Sequence, residues 1–158
     1  MANAILYDIL EAVRSDLVAL DLPGLAAANV VVHKVVSTRV ADLPAVQFPC
    51  VVIAPWGRES VEPHSNLRDT VGYPVVVAII DKESTDNLQP QSDQLQQLNM
   101  YLQWRETIRH SFSYQRLSTL AHTVRIESLD IVDKAAWEQK GLWVSGLVLR
   151  CLSIESRG

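Results

Sequence analysis

The segment Val71-Gly-Tyr-Pro-Val-Val-Val-Ala-Ile-Ile80 sets the tightest limit on what this chain can fold into. It carries no charge and is rich in β-branched residues, which pack well on a pleated surface. A strand with one wet face alternates apolar and polar residues. This one does not, so it must be covered on both faces, by helices or by a neighbouring subunit. Pro74 lacks an amide donor and places the start of the strand at a sheet edge.

The elements that cover such a strand are readable on either side of it. From Asn3 to Leu20 the positions Ile5, Leu6, Ile9, Leu10, Val13, Leu17 and Leu20 recur at three- and four-residue steps, which predicts an amphipathic helix stopped by Asp21-Leu-Pro-Gly24. Val30 to Val36 and Cys50 to Ala54 are short and β-branched, and read as strands, the second bracketed by Pro49 and Pro55. Trp56 to Thr70 has neither helical nor strand periodicity and reads as an exposed loop or irregular strand edge. The polar stretch Asp81 to Pro90 leads into a second helix, with Leu95, Leu98, Leu102, Ile108 and Phe112 as its apolar stripe and Trp104 beside it. Arg105 and Arg109 lie one turn apart on that helix.

In the C-terminal third, Gln139-Lys-Gly141 fits a three-residue hairpin loop. That loop sets Trp137 opposite Trp143, Asp130 opposite Arg150 and Arg125 opposite Glu155, one aromatic and two opposite-charge pairs. The expected arm, from about Val124 to Glu155, projects with its tip at the two tryptophans. The fold class expected is α+β: a mixed or mostly antiparallel sheet, two helices packed on one face, and a long C-terminal β-hairpin. The length of 158 residues supports a single domain spanning 1–158.

Composition narrows the function classes. A net charge of −4 with no basic stripe argues against a protein that grips phosphate backbones, which needs clustered Lys and Arg. There is no apolar run of about 18 residues and no basic segment followed by an apolar block, so the reading is a soluble protein without membrane contact, made in the cytosol. Cys50 and Cys151 each sit in an apolar strand and read as reduced core residues. His33, His64, His110 and His122 lie at no metal-ligand spacing. Asp81, Glu83 and Asp86 lack the twelve-residue calcium pattern, and neither a nucleophile elbow nor a phosphate loop is present. No catalytic, cofactor-binding or metal-binding residue is assigned, and the chain is not expected to be an enzyme.

Interface chemistry is better represented, because Trp, Tyr and Arg are enriched at the centres of protein contacts. The candidate interface residues are Trp56, Arg58, Glu59, Arg68, Asp69, Arg105, Arg109, Trp137 and Trp143. Tyr73 and Trp104 read as core.

Taken in order, the N-terminal helix, the strand ending in Val51-Val-Ile53-Ala-Pro55, the strand from Gly72-Tyr-Pro-Val75 to Asp81, the helix segment Tyr101-Leu-Gln-Trp-Arg-Glu-Thr-Ile-Arg-His-Ser-Phe112 and the C-terminal hairpin resemble the tail terminator proteins of long-tailed bacteriophages. The resemblance implies a structural virion protein at the tail–neck junction, made in the host cytoplasm. In that family a small α+β subunit forms a ring, usually a homohexamer, that caps the tail tube, ends its polymerisation and offers a docking face for head–tail joining. The implied partners are further copies of the chain, the tail tube protein and the head-completion or stopper protein, with DNA only a passing neighbour in the lumen. No cofactor is implied. Under this reading Arg105 and Arg109 pair with carboxylates of an adjacent subunit, while 56–70 and 81–90 meet neighbouring rings or the lumen. The alternatives are another neck component, such as a stopper or head-completion protein, and a small cytosolic enzyme.

Overall fold

The computed structural model describes residues 2–36, 48–82, 91–113, 115, 117 and 122–157. Its centre is an antiparallel ladder of two long strands, β4 (Arg68–Lys82) and β6 (Leu142–Ser156), paired in register along their whole length from Arg68 opposite Ser156 to Lys82 opposite Leu142. At ~3.3 Å per residue each strand extends about 50 Å. Around this ladder the sheet has the order β1-β2-β4-β6-β5, with β1 (Val30–Val32) parallel to β2 (Cys50–Pro55), β5 (Thr123–Ser128) on the far edge, and β3 (Ser60–Ser65) pairing with the first residues of β4. The α+β class and mixed, mostly antiparallel sheet expected from the sequence are both present.

Both faces of β4 are covered, as its unbroken apolar run requires. Val75, Val77 and Ile79 face α1 (Ile5–Ala19) and α2 (Gln91–Phe112), within a core that also holds Ile9, Val13, Leu17, Trp104, Ile108, Leu147 and Leu149. Ala78 and Ile80 face the other way, into a smaller cluster with Cys50, Val52, Leu142, Val144 and Ala136 of α3 (Lys134–Lys140). Both cysteines are buried and unpaired, one on each side of the sheet. Trp104 is core, as read from the sequence, and its indole Nε1 donates to the Pro23 carbonyl at 2.8 Å, tying α2 to the turn after α1.

Three sequence expectations are corrected. Pro74 is not at the start of an edge strand but in the middle of β4. Its carbonyl accepts from Trp56 N at 3.0 Å, so the side lacking an N–H faces the gap where β4 changes partner, from β3 up to Gly72 to β2 from Val75. The buried row of α2 is Tyr101, Trp104, Ile108 and Phe112, whereas Leu95 and Leu98 are exposed. Residues 94–99 are exposed throughout, and Tyr101, one turn further on, meets Asp81 near the end of β4.

The third correction is the C-terminal connection. β5 and β6 do pair antiparallel, but Arg125 lies opposite Arg150, not Glu155. The residues assigned to a tight hairpin instead include α3, capped at its start by the Asp133 carboxylate, which accepts from Ala136 N at 3.1 Å, and at its end by Gly141 in the left-handed conformation. A left-handed Gly suits a hairpin loop and a helix C-cap equally, and Lys-Ala-Ala-Trp-Glu-Gln-Lys is a good helix-forming string. Trp137 therefore sits on α3 and Trp143 on β6, with no cross-strand pairing between them. The projecting arm is at the opposite end of the ladder, where β3 and the first residues of β4 lie beside the last residues of β6.

The capped helix generates a direct test. Asp133→Ala removes the N-cap and is expected to cost about 1 kcal/mol, lowering the midpoint of thermal unfolding by roughly 2–4 °C. A 139–141 hairpin loop gives Asp133 no such role, so an unchanged midpoint contradicts the capped α3.

Candidate functional site: the β arm and the ends of the ladder

The site expected from the sequence is an interface, so the relevant geometry is that of surfaces and not of a cleft. The arm consists of Ser60–Ser65, the turn at Asn66 and Leu67, Arg68 to Gly72 of β4, and Leu152 to Ser156 of β6. Residues 61–68 are all exposed. Its register is pinned by side chains. Arg157 donates to the Asp69 carboxylate at 2.6 and 2.8 Å and its amide to Leu67 O at 2.9 Å, clamping the residue after β6 onto the β3–β4 turn. The Tyr73 hydroxyl donates to Glu155 at 2.9 and 3.0 Å. On the opposite face Arg150 spans several strands: its guanidinium bonds Glu127 on β5 at 2.6 Å and reaches Ser60 on β3 at 3.4 Å. Its stem lies over Gly72, where an added Cβ would approach the Ser60 Oγ to 2.5 Å and the Arg150 side chain to 3.3 Å.

The free edge of β3 is blunted. Because even-numbered residues of β4 direct their backbone groups toward β3, the β3 residues directed outward are Val61 and Pro63, and Pro63 has no N–H to offer. A proline on the open side of an edge strand discourages sheet extension by another chain, leaving side-chain packing as the means of contact.

The structure distributes the nine candidate interface residues over several separate parts of the molecule. Trp56, Arg58 and Glu59 are exposed where β2 leads into β3, and Arg68 and Asp69 lie near the arm's tip, Asp69 already paired with Arg157. Arg109 is exposed on α2 and Trp137 on α3. Trp143 is half-buried, its ring centroid 5.2 Å from that of Tyr101. Arg105 is engaged within the chain: Nη1 donates to Ser145 Oγ at 2.8 Å and Gly146 O at 2.6 Å, and Nη2 to Leu129 O at 2.9 Å. Desolvation, and then the neighbouring Arg109, lower its pKa. This guanidinium fastens α2 to β6 and to the end of β5, a role no local sequence pattern announces because its three acceptors come from distant segments.

At the other end of the ladder the Tyr101 hydroxyl donates to Asp81 Oδ2 at 2.5 Å, and burial followed by this bond raises the phenol's pKa. Tyr101 and Trp104 lie 5.3 Å apart, so with Trp143 they form an aromatic group over the ends of β4 and β6. The rest of the 81–90 stretch, 83–90, lies outside the described residues. An open depression of about 560 Å³ beside α3 is lined by Leu129, Asp130, Ile131, Val132 and Lys134. Among the described residues no group of three or more His, Cys, Asp or Glu gathers as a metal site, and no helix is long and apolar enough to cross a membrane. No protein-family model matches this chain, and no match is found among curated proteins.

Two tests follow from this geometry. Arg105→Met leaves three acceptors without their donor and is expected to destabilise the fold by about 2–3 kcal/mol, whereas Arg109→Glu is expected to stay within about 0.5 kcal/mol. Equal unfolding midpoints for the two variants contradict the assignment of Arg105 as an internal fastener.

Burial pushes the thiols of Cys50 and Cys151 up from 9.0 to about 12, and burial with the Glu155 bond pushes Tyr73 up from 10.0 to about 12. Groups whose folded pKa is raised contribute stability that is complete below the unfolded value and is lost as pH rises through the folded one. Denaturant midpoints are therefore expected to fall between about pH 9 and 12, and Cys151→Ala is expected to flatten that fall relative to its own value at pH 7. An unaltered alkaline slope contradicts the buried-thiol contribution.

Proposed function

We propose that this protein is a structural subunit of the neck of a long-tailed phage, a tail terminator that assembles into a ring over the end of the tail tube, stops tube growth and presents a docking face to the head-completion or stopper protein. Its place of action is then the virion, at the tail–neck junction. The observation that best supports this reading is the arm: three strands extended into solvent, held in fixed register by the Arg157–Asp69 and Tyr73–Glu155 contacts, with apolar side chains exposed along it. Strand ribbons of this kind gain stability when they pack against something else, and exposed apolar groups on them mark contact surfaces. A further copy of the chain is the simplest partner, because one arm per subunit repeated around an axis generates a ring.

The element order also supports it. Helix, strands, second helix and a final pair of strands follow the sequence of elements that the resemblance implies, with α1 and α2 on one face of the sheet. Tube capping is then a matter of surface match, with no bond made or broken.

The test uses polymerising tail tube protein from a long-tailed phage that encodes a close homologue of this chain, with tube lengths measured by electron microscopy. Substoichiometric addition is expected to shorten tubes and place one ring at their ends. Unchanged lengths and bare ends overturn the proposal.

A further inference from the structure

Two surfaces at opposite ends of the ladder have the chemistry of contact surfaces. One is the first half of α2. Leu95 and Leu98, three positions apart and therefore neighbours on the helix, are 57% and 37% exposed. From Gln94 to Trp104 this helix carries no charged side chain, and its remaining polar groups are mostly Gln and Asn amides. A solvated helix surface normally carries Lys and Glu, whereas depletion of charge around apolar anchors is the compositional mark of an interface.

The other surface is the arm, where Val61, Leu67 and Ile154 are 57%, 75% and 55% exposed. The exposed charges on it and just before it, Arg58, Glu59, Glu62 and Arg68, mix in sign, and the exposed Arg157 is paired with Asp69, so it presents little net field. Tyr101 meets Asp81 at the end of β4, so the leucines of α2 lie near that end, while the arm begins with Arg68 at the other. The strand between them spans about 50 Å at ~3.3 Å per residue, so one copy cannot fold its own arm onto its own helix.

We propose that the arm of one copy seats on the uncharged stretch 94–99 of α2 of the next, and that this contact is the repeating joint of the ring. The inference rests on the ring reading above and names the surfaces that close it. A second copy is the occupant that charge favours: the chain carries a net charge of −4, so identical copies repel except where neither contributes net charge, and the arm and the α2 stretch that starts at Gln94, just past Asp93, meet that condition. The two surfaces differ, so the contact is heterologous, running head to tail as a ring requires. A helix-to-helix contact would be self-complementary, closing at a dimer and leaving every arm unused.

The joint is tested with two double variants at exposed positions, Leu95→Glu with Leu98→Glu on the helix, and Leu67→Glu with Ile154→Glu on the arm, followed by sedimentation velocity. Thermal unfolding within a few degrees of the parent establishes that both fold, and Leu→Gln and Ile→Gln versions replace any that do not. Each variant alone is expected to sediment as a monomer where the unmodified chain forms rings. Mixed in equal amounts, they are expected to give a dimer and nothing larger, because one intact arm and one intact helix remain. Rings of unmodified size from either variant, or a mixture without dimer, overturn the joint while leaving the ring itself standing. An unmodified chain that stays monomeric with tail tubes present overturns the ring as well.

Discussion

The ladder between β4 and β6 is the constraint from which the rest of the structure follows. Two fully paired strands of this length outrun what α1 and α2 can cover, so the sheet is divided along its length. Its middle is a buried core with helices on one face and α3 at one end of the other. One end continues as the exposed arm, and near the other the first half of α2 is left in solvent. The arm is where the strands outrun the helices, and the bare part of α2 is where that helix runs past the end of β4 beyond the Tyr101–Asp81 contact.

Specific polar contacts keep that division sharp. Arg105 holds α2 against β6 and the end of β5 through three neutral acceptors, which fixes where the helix stops being core. Tyr101 and Asp81 mark the last covered turn, beyond which the leucines of α2 meet water. At the arm, Arg150 lies across Gly72 between β5 and β3, where an added Cβ would clash with the Ser60 hydroxyl at 2.5 Å and crowd the Arg150 stem at 3.3 Å. Polar side chains of this kind add modest net stability, but they set register and orientation, which an assembly surface needs more than affinity.

Much of this was legible in the sequence where a pattern is local. The apolar run of β4 announced a strand buried on both faces, the three- and four-residue spacing from Ile5 to Leu17 announced α1, and the proline-bracketed Cys50 to Ala54 announced β2. Patterns shared by two structures do not decide between them. Gly141 suits a hairpin loop and a helix cap alike, and opposite-charge pairs at a slipped register compete with the cap signal of Asp133 and the helix-forming string after it. The leucines of α2 fit an amphipathic stripe, yet the helix turns its aromatic row inward, because Tyr101 and Trp104 bury more apolar area. The arm was invisible as such: strand pairing of β3 with the start of β4 gives no periodic signal when both faces are wet. Arg105, expected at an interface with a neighbouring subunit's carboxylates, instead meets Ser145, Gly146 and Leu129 of its own chain, because sequence alone cannot show which distant acceptors an arginine will meet.

Self-assembly through surfaces at the two ends of one ladder is the central claim, and native mass spectrometry of the purified chain, alone and with assembled tail tubes, tests it most directly. A closed ring of fixed copy number, formed in solution or only once tubes are present, is the predicted result. A chain that stays monomeric or dimeric under both conditions would contradict it.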